Sequence, residues 1–462
     1  MPERKIAAVL LRGDFACRSV IMRTYGFDYV FAVSVESVNK TLTKNLSDLT
    51  SVVYKTVDED SGSTISLNAR LAAWSIVAGG QNNLLNMSLP ISSGSLTLAG
   101  GALKGDYKLD GVAAIMQISL GWIGTGTGQD ATGSGTSTNL VFSPDGTKDK
   151  NNPGYVATLQ ILDPNKRLDS LASGLLRQYM ADVLVSNKDK LKYIFANVNP
   201  VAAGVGSWLK ARKWLYYYAE AGNLRALCFL CMLSEAAFPQ SAFDSGALSS
   251  GTNSLVLVSQ PRFFENVALP AVRSAFPSGS FQVKCQDDVC SVINAGSFSF
   301  GNVTTTSLTV ATSSDGNGLA VSAGGGGPLK FLFGLVDLPN ASYSWSLKST
   351  NPLDFDGRQV AFKKDPNPQM AHDQTIPWYD WVLLVVVGIT NLPGLISAIL
   401  ALVTTFSDQV QNAGMDFINS HVQSSTGGAI VNLASLMDWR GGGLTITAAG
   451  LSGALYVRGN LG

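Results

Sequence analysis

The apolar stretch from Trp381 to Phe406 constrains the fold of this chain more than any other segment, because it contains no ionisable side chain and must be covered. A helix that spans a bilayer needs about 20 mostly apolar residues, so a membrane-inserting segment is one interpretation. Proline removes an amide donor from a helix and glycine loosens it, and Pro393 and Gly394 lie near the middle of the stretch. We therefore expect two shorter helices, at 381–390 and 394–410, buried within the protein. Insertion into a membrane and coverage by a partner protein are the alternatives.

The composition favours strands and turns over long solvated helices. Charged residues make up 14% of the chain, against a usual ~25%, and 47 residues are glycine. The 33 basic and 33 acidic residues cancel, so the chain has no overall field that would attract nucleic acid. Its length of 462 residues allows two or three domains.

The N-terminal segment does not have the pattern of a classical signal peptide. Its apolar stretch, Ala7 to Leu11, is shorter than the roughly 7–15 residues that such a peptide needs, and it is followed by Arg12. We therefore expect a protein that is cytoplasmic at synthesis and has no permanent transmembrane anchor. Any release to the exterior would follow a non-classical route.

The cysteine pattern gives little support for a metal site. Cys228 and Cys231 lie in the apolar run RALCFLCML, where we expect them to pack as small hydrophobic side chains. Cys285 and Cys290 flank the segment QDDV and either form a bridge or remain free thiols. The sequence therefore predicts no bound metal and no cofactor.

Catalytic motifs are not found either. The chain has 2 histidines, His372 and His421, so any histidine-based catalytic site must use one of them. Neither a G-x-S-x-G nor an H-E-x-x-H motif occurs. We therefore expect a protein that is not an enzyme.

A strand followed directly by a helix is the clearest local pattern near the N-terminus. Phe27, Tyr29, Phe31 and Val33 alternate with other residues as in a half-buried strand. Ser34 then has the side chain of an N-cap, and apolar residues follow it at steps of three and four, which indicates a helix. Further strands are predicted at Ser51–Val57, Thr64–Val77, Ser95–Leu98, Val112–Ile123, Ser280–Val283, Ser297–Val303, Ser307–Ala311, Leu319–Ala323, Leu329–Leu335, Tyr343–Leu347 and Leu444–Arg458.

A long amphipathic helix is predicted over residues 166–198. Leu168, Leu175, Tyr179 and Val183 lie on one side of it, while most charged residues lie elsewhere. A helix with such a stripe is expected to lie lengthwise on a strongly curved sheet.

Cations and aromatic side chains interleave just after this helix. Lys210, Arg212, Lys213 and Trp214 are therefore candidate residues for contact with a membrane surface. The alternative is an amphipathic element that packs against the protein, because Lys and Tyr side chains bury their stems and expose their tips.

The chain divides into two halves with the same order of elements. Residues 1–270 combine many short strands with the long helix at 166–198, and residues 271–462 combine strands with the apolar helices at 378–420. Two such units side by side would make an elongated molecule.

Three segments resemble a known family: TYGFDYVFAVSVESVNKTL, LRQYMADVLVSNKDKLKYIFANVNP and IPWYDWVLLVV, the last at residues 376–386. They are similar to the clostridial proteins encoded beside botulinum neurotoxins in OrfX-type clusters, which include a forty-seven-kilodalton member. That family belongs to the tubular lipid-binding (TULIP) superfamily. The resemblance implies an elongated α+β fold in which highly curved antiparallel sheets each wrap around a long apolar helix.

A seam between such a helix and its sheet could hold an acyl chain, because each buried methylene contributes about 0.8 kcal/mol. The alternative is that the same side chains form a packed core, which binds nothing. The candidate lining residues of the seam are Trp74, Trp122, Leu176, Tyr179, Met180 and Val183.

The resemblance implies a non-enzymatic protein that binds lipid or another apolar ligand. It would act as an accessory to a protein toxin or to sister proteins of its cluster, or as part of an insecticidal system. The alternative is a membrane-inserting, pore-forming toxin that uses the segment 381–406.

Overall fold

The computed structural model describes 22–45, 50–124, 129–134, 138–198, 210–240, 242–248, 251–286, 289–300, 303–331, 336–355, 360–375, 437–438 and 444–461. The segment Ala7–Leu11, the predicted helices at 378–420, the apolar stretch Trp381–Phe406 and His421 lie outside these residues. What the sequence predicts for them therefore stays a prediction.

Antiparallel strands dominate the structure, as the β-rich α+β class expected from the sequence requires. The strands of the first half are β1 (Tyr29–Ser34), β2 (Thr50–Val57), β3 (Thr64–Leu71), β4 (Ser75–Gln81), β5 (Leu84–Ala99), β6 (Gly105–Lys108), β7 (Ala113–Ser119), β8 (Gly121–Ile123), β9 (Gly133–Ser134), β10 (Asn139–Phe142), β11 (Val156–Leu162), β12 (Tyr193–Val198), β13 (Lys213–Ala221), β14 (Leu224–Met232) and β15 (Ser254–Val258). Those of the second half are β16 (Phe281–Gln286), β17 (Val289–Asn294), β18 (Phe298–Phe300), β19 (Val303–Thr312), β20 (Gly318–Phe331), β21 (Val336–Phe355), β22 (Val360–Phe362), β23 (Gln369–Thr375), β24 (Met437–Asp438), β25 (Leu444–Ser452) and β26 (Ala454–Leu461).

The described helices are short. They are α1 (Val35–Asn45), α2 (Ser170–Ser186), α3 (Lys188–Leu191), α4 (Gln260–Phe263) and α5 (Leu269–Ala275), with a 3₁₀ turn at Ser245–Ala247 and a π-helical turn at Phe264–Ala268 between α4 and α5. The helix predicted after Ser34 is α1, and the amide of Ser37 donates to the Ser34 hydroxyl over 3.2 Å.

The first sheet has the strand order β25-β26-β15-β1-β14-β13-β9 and is buried on both faces. Its inner face carries Phe31 and Phe229 in the main apolar core, and its outer face carries Val30 and Leu230 in a smaller core. Burial on both faces explains why β14 is an almost unbroken apolar run, a pattern that alternation alone does not predict.

The two cysteines of the CxxC motif point to opposite faces of β14. Cys231 lies in the main core and Cys228 in the smaller core, because side chains three positions apart in a strand alternate faces. Both are buried free thiols, as the sequence predicts. Cys285 and Cys290 form a disulfide across β16 and β17, which settles the alternative that the sequence leaves open.

Cys228 and Cys231 are expected to resist alkylation by iodoacetamide in the native protein and to react after denaturation. Burial raises the pKa of Cys231 to about 12, and it raises the pKa of Cys228 well above its ordinary value. Almost no reactive thiolate therefore exists at neutral pH. Peptide mass mapping of native and denatured samples measures this, and native modification at the rate of a free cysteine would contradict the placement.

The second sheet is built on the long strand β5, and the strands on both sides of it break at one level. It has the order β11-β7-β5-β3-β2, with β4 and β6 also paired to β5. The N-terminal part of β5 pairs with β4 and β7, and its C-terminal part pairs with β3 and β6. We call β4, β7, β11 and the first part of β5 the β11 half, and β2, β3, β6 and the second part of β5 the β2 half.

The strand predicted over Thr64–Val77 is therefore two strands, β3 and β4, and that predicted over Val112–Ile123 is also two, β7 and β8. Residues 72–74 and 109–112 interrupt the flanking strands where β5 has its own irregularity, beside Ile91, and single backbone bonds such as that from the Ala72 amide to the Pro90 carbonyl still join them to β5. Gly94 has φ +153°, and a Cβ there would lie 2.4 Å from the carbonyl oxygen of Asn68, so this close approach of two strands requires glycine.

The helix predicted over 166–198 is shorter in the structure. It comprises α2 and α3, and the segment Tyr193–Val198 is strand β12, which pairs with β10. Asn187 ends α2 with a non-helical backbone. Tyr193 and Phe195 then alternate into the core as strand residues do, and pairing with a distant strand decides the conformation.

The C-terminal strands return to the first half of the chain. β26 pairs with β15, so residues 444–461 complete the first sheet, while β16 to β23 form a separate sheet with the path β16-β17-β19-β20-β21-β22. The expected boundary after residue 270 therefore does not separate the hydrogen-bonded sheets. The fourth sheet has the order β24-β12-β10-β8.

Candidate functional site

Helix α2 lies against the second sheet and contacts both of its end strands, β11 and β2, as well as β7. We call the interface between α2 and this sheet the seam. Leu176, Met180 and Val183, three of the predicted lining residues, are at most 1% exposed there. Leu171, on the same helix, is 42% exposed and faces away from the sheet. The inner surface of α2 is thus apolar and closed to solvent.

The N-terminus of α2 is tied to the β2 half through Asp169. This N-cap residue accepts a hydrogen bond from the Ala172 amide over 2.8 Å and another from the Tyr107 hydroxyl over 2.9 Å. Both bonds lower the pKa of Asp169, and the bond from the Ala172 amide has the larger effect. Tyr107 lies on β6, so a side-chain bond joins the start of the helix to the sheet.

The middle of α2 is tied to the same half through Tyr179. Its hydroxyl donates to Asp58 over 2.8 Å, and Asp58 also accepts bonds from the amide and hydroxyl of Ser61. The bonds from Ser61 and Tyr179 lower the pKa of Asp58, and desolvation together with Asp58 raises the pKa of Tyr179 to about 12. The Tyr179 ring packs on Tyr54, with 6.2 Å between centroids. Tyr179 is thus half-buried and polar at its tip, unlike its apolar neighbours in the seam.

The C-terminal end of α2 is tied to β2 through Asn187. Its side-chain oxygen accepts from the Val53 amide over 3.3 Å, and its side-chain nitrogen donates to the Val53 carbonyl over 3.0 Å and to the Val183 carbonyl over 2.8 Å. The side-chain amide of Asn187 thus pairs with the backbone of β2 as a neighbouring strand would at the edge of the sheet.

The two predicted tryptophans lie in the main core but pack on elements other than α2. The Trp74 ring contacts Phe142 at 5.3 Å between centroids. The Trp122 ring contacts Trp214 at 6.1 Å and Phe229 at 5.8 Å. They share one contiguous cluster with Leu176, Met180 and Val183, but their ring partners come from β10, β13 and β14.

The predicted membrane-surface residues do not share one surface. Lys210 and Arg212 are exposed, and Arg212 lies 3.8 Å from Glu235. The Lys213 ammonium lies 4.6 Å from the centre of the Phe238 ring. Trp214 is fully buried, because β13 alternates between the two cores and directs this ring inward. The structure therefore contradicts a membrane-surface role for Trp214, and the packed-element alternative describes β13 correctly.

A polar cleft of about 810 Å³ is the feature that sequence reasoning missed. It lies between the N-terminal part of α1, the turn that joins β13 to β14 and the segment before β15. Its charged lining residues are Glu36, Lys40 and Arg225, and Glu36 pairs with Lys40 over 3.7 Å. The cleft is lined by residues that are far apart in the chain, so no local sequence pattern predicts it.

Among the residues that the structure describes, no three His, Cys, Asp or Glu side chains lie close enough to share a metal ion. His372 lies on β23 and is exposed. No described helix is long and apolar enough to cross a bilayer.

The described architecture defines a β-rich protein with short helices packed on antiparallel sheets. A family model described as OrfX-like, Protein OrfX2/OrfX3/P47, matches residues 24–314. The chain therefore belongs to the OrfX-like family.

Individual relatives agree with this assignment. Protein P47 of Clostridium botulinum (strain Kyoto / Type A2) is 21% identical over 257 residues, which cover 54% of this chain and 56% of that protein. The matched region thus spans little more than half the length of this relative. The structure of P47 from C. botulinum A2 superposes with a TM-score of 0.66 at 17% identity, over 96% of this chain and 99% of that one. P47 of C. botulinum E1 gives 0.65 at 17% identity, over 95% and 100%. The likeness shows a common fold.

The residues that carry the resemblance have structural roles. Asp28 accepts from the Arg262 guanidinium over 2.8 Å and from the Leu233 amide over 2.7 Å, which joins β1 to α4 and to the end of β14. The Asn39 side chain accepts from the Ile76 amide over 2.7 Å and donates to its carbonyl over 2.9 Å, which fixes α1 on β4. These positions thus hold elements of the fold together.

Proposed function

We propose that this protein binds a lipid or another apolar ligand in the seam and catalyses no reaction on it. The position of α2 carries the proposal: the helix contacts both end strands of the second sheet. A helix wrapped by a curved antiparallel sheet, which the resemblance to the tubular lipid-binding superfamily implies, would make such contacts. The corresponding arrangement in the second half, with helices at 378–420, stays a prediction.

The seam has the chemistry that an acyl chain requires. Leu176, Met180 and Val183 present only apolar atoms to the sheet, and they are covered when α2 is in place. Burial of about ten methylenes would contribute roughly 8 kcal/mol, which offsets the cost of separating packed side chains. The ligand therefore enters between α2 and the sheet and takes the place of contacts within the protein.

We further propose that the protein is an accessory to a protein toxin or to sister proteins of its cluster, or part of an insecticidal system. Membership of the OrfX-like family and the likeness to P47 of C. botulinum support this role. The direct test is co-purification of the protein with the products of its neighbouring genes.

Ligand binding is tested by organic extraction of the purified protein and by titration with a fluorescent nitrobenzoxadiazole-labelled fatty acid. We expect stoichiometric lipid in the extract or saturable binding of the probe. Met180→Gln places a polar amide in the seam and should weaken probe binding at least tenfold, because an unpaired buried amide costs about 1–3 kcal/mol. Gln178→Met on the exposed side of the same helix is the matched control and should bind as wild type.

A lipid-free extract together with no saturable probe binding would contradict the proposal. The alternative, a membrane-inserting toxin that uses the segment 381–406, makes a different prediction. Dye release from liposomes at low protein concentration would support insertion, whereas lipid transfer without release supports binding.

A further inference from the structure

The strand breaks of the second sheet lie between its two halves. Residues 72–74 separate β3 from β4, and residues 109–112 separate β6 from β7. Both breaks lie beside Ile91 of β5, whose amide donates to Val112 and whose carbonyl accepts from Gly111. The register of β5 against β3 also shifts at this level. The β3–β4 break, the β6–β7 break and the irregularity of β5 therefore lie at one level across the sheet.

Helix α2 packs mainly on the β11 half, and its side chains form hydrogen bonds with the β2 half. It follows β11 after a short turn and packs most extensively on that strand. Its described side-chain bonds to the sheet all go to the β2 half: Tyr107 with Asp169, Tyr179 with Asp58, and Asn187 with Val53. Separation of α2 from the β2 half therefore opens the seam without breaking a strand ladder.

We propose that the seam opens by bending of the second sheet at its aligned strand breaks, and that the Tyr107–Asp169 and Tyr179–Asp58 hydrogen bonds are latches that hold it closed. The inference rests on the proposed function for the identity of the ligand, but the motion itself does not depend on it. Opening would present Leu176, Met180 and Val183 to an incoming acyl chain.

The two latches are the bonds best placed to break and reform. Both lie at the rim of the seam, where the Tyr107–Asp169 bond is exposed and the Tyr179–Asp58 bond is partly buried. Water can replace either partner when the bond breaks, which lowers the cost of opening. The strands on either side have backbone ladders of their own, between β2 and β3 and between β7 and β11, so each half can move as a unit.

The test is hydrogen exchange of the full-length protein, read by mass spectrometry, on the double variant Tyr107→Phe and Tyr179→Phe. Each substitution removes one hydroxyl and keeps the ring. We expect amides of α2 to exchange at least tenfold faster than in wild type, while amides of β14 in the first sheet keep their rate. The matched control is Tyr54→Phe, which removes a hydroxyl from the same seam. That hydroxyl makes no hydrogen bond within the part of the chain that the structure describes.

Binding of the labelled fatty acid to the same variants separates this inference from the proposed function. A faster association rate in the double variant, with unchanged rate in the control, supports both. If α2 exchanges faster in the double variant but no variant binds the probe, the latch proposal is supported and the proposed ligand binding is contradicted. Unchanged exchange of α2 in the double variant would contradict the latch proposal even if the probe binds. Equal acceleration of exchange throughout the protein would show global destabilisation and would contradict the latch proposal as well.

Discussion

Leu176→Ala is expected to lower the free energy of unfolding by about 2–5 kcal/mol, the usual cost of truncating a fully buried leucine. Its side chain is 1% exposed and fills the seam between α2 and the sheet. Part of the loss is the transfer of apolar atoms, and part is the cavity that the surrounding side chains fill only partially. The measurement is the shift of the urea unfolding transition, followed by tryptophan fluorescence.

Leu171→Ala is the matched control, because it changes the same residue type on the same helix. Leu171 is 42% exposed, so its truncation should change stability by about 0.5 kcal/mol or less. Equal effects of the two substitutions would mean that α2 does not present the face that the structure shows.

Asp28→Ala is expected to cost about 3 kcal/mol of stability, the lower end of the range for breaking a buried ion pair. The Asp28 side chain is 12% exposed and that of Arg262 is 29% exposed, so the substitution removes the 2.8 Å partner of a largely covered guanidinium and leaves it the longer contact of 3.5 Å to Glu265. The Leu233 amide loses its acceptor as well. Thermal and urea unfolding of the variant measure the loss.

The exposed pair of Glu36 and Lys40 provides the control for this prediction. Its side chains are 81% and 75% exposed, so Glu36→Ala should cost no more than about 0.5 kcal/mol. If Asp28→Ala lowered the stability by as little as Glu36→Ala, the contact between β1 and α4 would contribute nothing to the stability of the fold.

Sequence reasoning succeeds where one local rule decides the structure. The strand-to-helix junction at Ser34 follows from alternation, a capping hydroxyl and helical spacing, and the structure confirms it. Burial of Cys228 and Cys231 follows from their apolar surroundings. The β-rich class follows from a composition with few charges and many glycines.

It fails where a distant partner decides. Tyr193–Val198 continues the apolar spacing of α2, yet pairing with β10 makes it a strand. Trp214 looks like a surface residue among lysines until β13 takes its place between two cores. Partners of the latches are 62 and 121 positions apart, so no window of the sequence contains both members of either pair.

The return of β26 to β15 also has a consequence for biosynthesis. β15 lies between β1 and β26, so its outer edge has no strand partner in this sheet until residues 444–461 have left the ribosome. Such a late, long-range pairing slows folding, and a bare apolar edge invites association with other nascent chains. Polypeptides released early, before those residues are made, should accordingly be found in inclusion bodies.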